Sequence, residues 1–155
     1  MPAINWRKGA KEVLYLYPET CRLLRRQEND ILLGSKNYPD QRYRRGGLVD
    51  STGTKAILLQ KEEILRLTQE KRAVEALLEF LDSDRRIDQL RRELLMMVYL
   101  RDRVSLIHAA IALEVSDRTA KRWNDQLLRF VALEMGWLEL KDLYAPGRFS
   151  PHFLP

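Results

Sequence analysis

The side chains with the clearest chemistry lie close together near the end of the chain: Arg118, Thr119, Lys121, Arg122, Asn124, Asp125 and Arg129. At about 100° per residue, a helix through them puts Arg118, Lys121, Arg122, Asp125 and Arg129 on one side. Ala120, Trp123, Leu127, Phe130 and Val131 fall opposite. Such a helix buries its apolar face and offers a row of cations to a polyanion. In the major groove of duplex DNA, Arg118, Arg122 and Lys121 have the geometry to donate to guanine O6 and N7, and Asn124 to read adenine. Thr119 suits a phosphate or a thymine methyl, and Arg129, late in the helix, suits the backbone. Asp125, like Asp117, repels phosphate unless an arginine pairs with it or cytosine N4 donates to it.

A recognition helix needs a support that fixes its start and its angle. Ser116 is placed to accept from the amides that open a helix at Asp117, and Ser105 is placed to do the same for a shorter helix before it. In that shorter helix Leu106, Ile107, Ala109, Ala110, Ile111 and Leu113 are expected to supply apolar contacts, with the two alanines allowing close approach. Leu113-Glu114-Val115 forms the turn, Gly136 supplies the left-handed residue that ends the second helix, and Trp137 packs back on the core. A short helix, a tight turn and a capped second helix predict a helix-turn-helix over residues 104–136. The bland alternative is an ordinary helical hairpin whose charged face is merely solvated.

The remaining chain reads as helical too, so the expected fold class is all-α. Val13, Leu14, Leu16, Tyr17, Leu23, Leu24, Ile31 and Leu32 recur at helical spacing, interrupted by Pro18 and ended by Gly34-Ser35. Residues 36–53 have the composition of a basic, Gly-rich linker. Within it Arg42, Arg44 and Arg45 surround Tyr43, a grouping suited to accessory phosphate contact. Residues 54–81 predict a long helix, capped by Ser51 or Thr52, with Ile57, Ile64, Leu67, Val74, Leu78 and Leu81 on a seven-residue repeat broken by Gln60 and Lys71. Its face either packs within the chain or joins two copies as a homodimer. A third helix, capped by Ser83 or Asp84, is expected to run to about Leu100 with Ile87, Leu90, Leu94, Leu95, Val98 and Tyr99 inward. Arg85, Arg86, Arg91 and Arg92 then form a solvated face offset by Asp82, Asp84, Asp88 and Glu93, and Met96-Met97 fills core. The expected organisation is thus an N-terminal helical segment (1–35), the linker (36–53), a helical domain (54–137) and a flexible tail (138–155).

Composition narrows the function. The chain has 155 residues, 45% hydrophobic and 32% charged, with a net charge of +5. That mixture suits a compact domain able to bury its own core, and the basic excess favours a polyanionic partner. One cysteine, Cys21, and two separated histidines, His108 and His152, cannot build a Cys/His zinc pattern or a disulfide framework, so no metal or other cofactor is expected. No apolar run approaches the roughly 20 residues of a membrane span, and the first residues lack a secretory pattern, so a cytoplasmic location is expected and no membrane partner. There is no phosphate-cradling glycine loop and no nucleophile beside a base, so the chain is not expected to be an enzyme.

With these elements in order, the chain resembles phage transcriptional regulators of the RinA type, which are related to the ArpU-like regulators. The resemblance rests on an N-terminal helix, a Gly-rich linker, Asp50-Ser51-Thr52-Gly53-Thr54-Lys55-Ala56 opening a long helix, and Val115-Ser116-Asp117-Arg118-Thr119-Ala120-Lys121-Arg122-Trp123 leading to Gly136-Trp137. It covers roughly residues 10–137. It implies a sequence-specific DNA-binding activator of phage late genes in a bacterial host, with a terminal region similar to sigma factor region 4 and contact with bacterial RNA polymerase. Glu114 stands where such turns often carry glycine; a left-handed glutamate costs about 1 kcal/mol, which predicts a differently shaped turn. A second expectation from another class is a DNA-binding assembly component such as a phage small terminase subunit, which also joins a helix-turn-helix to oligomerising helices.

Overall fold

The computed structural model describes residues 5–37 and 51–139, and among them every regular element is helical. Five α-helices follow in order: α1 (Trp6–Asn37), α2 (Ser51–Leu81), α3 (Arg86–Leu95), α4 (Leu106–Ala112) and α5 (Asp117–Glu134). A single π-helical turn, Met96–Leu100, extends α3. The Arg42, Arg44 and Arg45 cluster and the chain beyond Glu139 lie outside the described residues. No described helix is long and apolar enough to cross a membrane.

The first helix is continuous. Pro18 removes one backbone donor inside α1, yet the helix passes through it, and it continues through Gly34-Ser35 to Asn37 rather than stopping there. The apolar row explains why: Ala10, Val13, Leu14 and Leu24 are buried, and packing outweighs the local cost of proline. Likewise α2 begins at Ser51, so Ser51 and Thr52 lie in the helix rather than before it.

The core gathers one face of each helix. Leu67, Ala73, Val74, Leu77 and Leu81 of α2 are buried, with Leu94, Leu95, Val98 and Tyr99, Ala109 and Ala110 of α4, and Ala120, Trp123, Leu127, Leu128 and Val131 of α5. Each fully buried leucine removes enough apolar surface to contribute about 2 kcal/mol. Of the seven-residue repeat in α2, the part from Leu67 onward meets this core; Ile57, with its neighbours Leu58 and Leu59, and Leu65 are exposed.

Four local expectations are corrected around α3 and α4. Ser83 does not cap α3: Arg85 occupies that position, its N–H donates to Ser83 Oγ (3.1 Å), and the Ser83 hydroxyl donates to Asp88 Oδ2 (2.8 Å). Ile87 is exposed, whereas Arg91, expected on a solvated face, is only 8% exposed. Its guanidinium pairs with Asp88 (3.4 Å) and lies 5.9 Å over the Trp123 ring. Ile107 and Ile111, expected inside, are 60% and 73% exposed, because α4 turns Leu106, Ala109 and Ala110 to the core instead.

Candidate nucleic-acid interface

The start of α5 is built as the sequence implies. The Thr119 N–H donates to Ser116 Oγ (3.1 Å), and the Ser116 hydroxyl donates to Thr119 Oγ1 (2.8 Å). Ser105 accepts from the His108 N–H (3.2 Å) and caps α4 in the same way. Each cap satisfies a donor that the first helical turn leaves unpaired.

The two helices also end alike. At α4, the Glu114 N–H donates to the Ile111 carbonyl (3.1 Å) and the Val115 N–H to the Ala110 carbonyl (3.0 Å). At α5, Gly136 donates to Leu133 (3.0 Å) and Trp137 to Ala132 (2.8 Å). Both are Schellman ends, and both need a left-handed residue. Gly136 supplies φ +74° at no steric cost; Glu114 adopts φ +57° despite its side chain. The turn before α5 therefore keeps its left-handed form, contrary to the expectation from glutamate. The two backbone bonds and the half-buried Val115 that follows hold it there.

Along α5 the predicted stripe divides into an open part and a covered part. Arg118 and Arg122 are exposed, and no ion pair engages either of them among the described residues. Lys121 is exposed but reaches back to Asp117 (2.8 Å), an i,i+4 pair in the first turn. Thr119 is half-buried and held by the cap, so its hydroxyl is already committed.

The remaining three residues are engaged within the chain: Asn124 and Arg129 depart from the expected outward placement, and Asp125 takes the arginine pairing the sequence allowed for. Asn124 turns toward the end of α3, where its Oδ1 accepts from the Tyr99 hydroxyl (2.5 Å), rather than toward a base. Asp125 accepts from Arg129 Nε (2.7 Å) and pairs with Arg7 (3.4 Å). Arg129, expected at the DNA backbone, is 8% exposed, with its guanidinium 5.2 Å from the Trp6 ring centroid. The wheel placed Arg129 within about 20° of Arg118, and that angle is correct as far as it goes. What buries Arg129 is the first turn of α1, whose Trp6 ring faces its guanidinium and whose Arg7 meets Asp125, while Arg118 and Arg122 nearer the start of α5 stay exposed.

Tyr99, placed inward by its spacing, and two arginines that periodicity passed over hold this arrangement. Tyr99 meets Tyr15 of α1 edge-on, with ring centroids 4.9 Å apart. Burial raises the Tyr99 pKa above its ordinary value, with the Asn124 hydrogen bond pulling the other way. Arg103, at φ +53° just before α4, donates from Nη2 to the Tyr15 carbonyl (2.9 Å). Arg101 is held by Glu93 (2.6 Å) and Asp102 (3.1 Å), whose carboxylates raise its pKa. A left-handed arginine and an arginine between two acids have no short sequence signature; only the positions of α1 and α3 reveal them.

Comparison with family models, with curated proteins and with solved structures finds no match to this chain.

Proposed function

We propose that the chain is a sequence-specific DNA-binding transcriptional activator, in which α4, its turn and α5 act as a helix-turn-helix and the first two turns of α5 enter the major groove. The observation that carries this reading is the pair of exposed cations, Arg118 and Arg122, near the start of a helix whose later Arg129 is covered by α1. In docked proteins of this kind the N-terminal residues of the second helix meet the base edges. The resemblance to RinA-type regulators supports phage late genes as the target and bacterial RNA polymerase as a partner. The exposed Ile57, Leu58, Leu59 and Leu65 on α2 support a homodimer formed through that helix. The reading assigns the chain no catalytic step and no cofactor.

The test is direct. Arg118→Glu with Arg122→Glu is expected to weaken retardation of promoter DNA by at least about 30-fold while helical content stays unchanged, since each lost base contact costs roughly 1–3 kcal/mol. Wild-type retardation by the double variant refutes the placement of the site.

The same exposed row on α2 favours a second reading, a DNA-binding assembly component such as a phage small terminase subunit. Light scattering separates the two: a dimer supports transcription, and a ring of many subunits supports packaging.

A further inference from the structure

A groove of about 370 Å³ opens between α1 and α2. Val13, Leu16, Leu23 and Leu67 give it an apolar lining, and Trp137, packed on Gly9, stands at one end. Val13 and Leu67 belong to the buried core, but Leu16 is left 52% exposed. Thr20 also lines the groove at 3% exposure, and its hydroxyl has no hydrogen bond among the described residues.

The charge of this groove runs against that of the chain. On a protein of net charge +5, four carboxylates, Glu12, Glu19, Glu63 and Glu70, line it with one cation, Arg66. Arg66 pairs with Glu70 (3.8 Å) and Arg22 with Glu19 (3.4 Å), so Glu12 and Glu63 have no ion pair among the described residues. Burial raises the Glu70 pKa, and the charge of Glu12 on the other helix adds to the shift. Cations brought into the groove relieve that repulsion.

The spacing selects the shape of what brings them. On α1 the lining residues Gly9, Val13, Leu16, Thr20 and Leu23 recur at intervals of three and four, with Glu12 and Glu19 beside them two turns apart. Glu63 and Glu70 repeat the same two-turn interval on α2. An apolar row edged by charges at helical period is the surface on which another helix lies, its own flanking charges choosing the partner. From Gly9 to Leu23 the groove runs about 21 Å along α1, the length of roughly 14 helical residues.

We infer that the groove between α1 and α2 is a docking site for a basic amphipathic helix of a partner protein, whose apolar row lies on Leu16 and Leu23 and whose lysines or arginines meet Glu12 and Glu63. Docking there is independent of DNA binding by α5.

The experiment measures, by fluorescence anisotropy, binding of a labelled peptide of about 14 residues with leucine and lysine at helical spacing. The comparison peptide has glutamate in place of lysine. Wild type is expected to bind the lysine peptide and not the glutamate one. Glu12→Gln with Glu63→Gln is expected to weaken binding by about 5-fold, and Leu16→Gln by a similar factor. Glu28→Gln, an exposed carboxylate about 180° from Glu19 around α1, is expected to bind as wild type does. Glu12, Glu63 and Leu16 are all exposed, and thermal melts check that the variants fold. Equal binding by Glu12→Gln/Glu63→Gln and Glu28→Gln overturns the site, as does failure of wild type to bind the lysine peptide. A wild-type dimer that Leu16→Gln converts to monomer in light scattering assigns the groove to a second copy of this chain. Displacement of the probe by a synthetic 140–155 peptide assigns it to the chain's own C-terminal segment. Either result overturns the partner helix.

Discussion

The guanidinium of Arg129 lies 5.2 Å from the centre of the Trp6 ring, joining the fourth turn of α5 to the first turn of α1. Its Nε donates to Asp125 (2.7 Å), and Asp125 also meets Arg7 (3.4 Å), whose own guanidinium is 4.6 Å from the same ring. A buried cation is costly unless paired, and here a carboxylate and an aromatic face share the task. The N-terminal helix is therefore part of the mounting of α5.

Arg129→Ala removes a charge-assisted hydrogen bond and a cation over a ring at a site that is 8% exposed. It is expected to destabilise the fold by about 2 kcal/mol, read as a lower urea midpoint. An unchanged midpoint contradicts this role for the pair.

Gly9 of α1 meets Trp137 closely. A Cβ built there falls 2.8 Å from Trp137 Cζ3, so the indole must shift. Alanine ordinarily favours a helix over glycine by about 1 kcal/mol, but here the displaced ring outweighs that gain, and Gly9→Ala is expected to lower stability by about 1 kcal/mol. Calorimetric melting gives the sign.

Glu114 holds a left-handed conformation without glycine's freedom, at φ +57°. Glu114→Gly is expected to raise stability by up to about 1 kcal/mol, with the turn and its two hydrogen bonds retained. The reverse experiment, Gly136→Ala, places a side chain at φ +74° and is expected to cost about as much. Denaturant unfolding of both variants checks the pair of signs.

Burial raises the Glu70 pKa above its ordinary value, Glu12 adds to the shift, and Arg66 opposes it. A carboxyl whose folded pKa is raised binds its proton more tightly in the native state. Its charged form therefore penalises folding above the folded pKa, and the penalty disappears as pH falls below the unfolded value. Glu70→Gln is expected to raise the melting temperature at pH 7, with the gain shrinking toward pH 4. A gain that is constant with pH contradicts the titration.

The elements of the site were legible where their causes are local. Ser105 and Ser116 cap α4 and α5 because a hydroxyl three residues ahead of an amide can accept from it wherever the helix sits. Gly136 ends α5 for the same kind of reason, and the apolar positions Ala120, Trp123, Leu127 and Val131 are buried as their spacing requires. Where the simplest local rule misled, another partner had intervened: Asp88, five residues on, accepts from the Ser83 hydroxyl, and the core held α1 together through Pro18.

The chain's own periodicity, capping residues and composition thus determined an all-helical fold and the helical frame that carries Arg118, Lys121 and Arg122. Exposure along the predicted stripe was decided only by tertiary structure. Arg118 and Arg129 share a direction on α5, yet one is open and the other covered, because a helical wheel fixes angles and is blind to position along the axis. Only the crossing of α1, bringing Trp6 and Arg7 from more than a hundred residues away, makes that distinction.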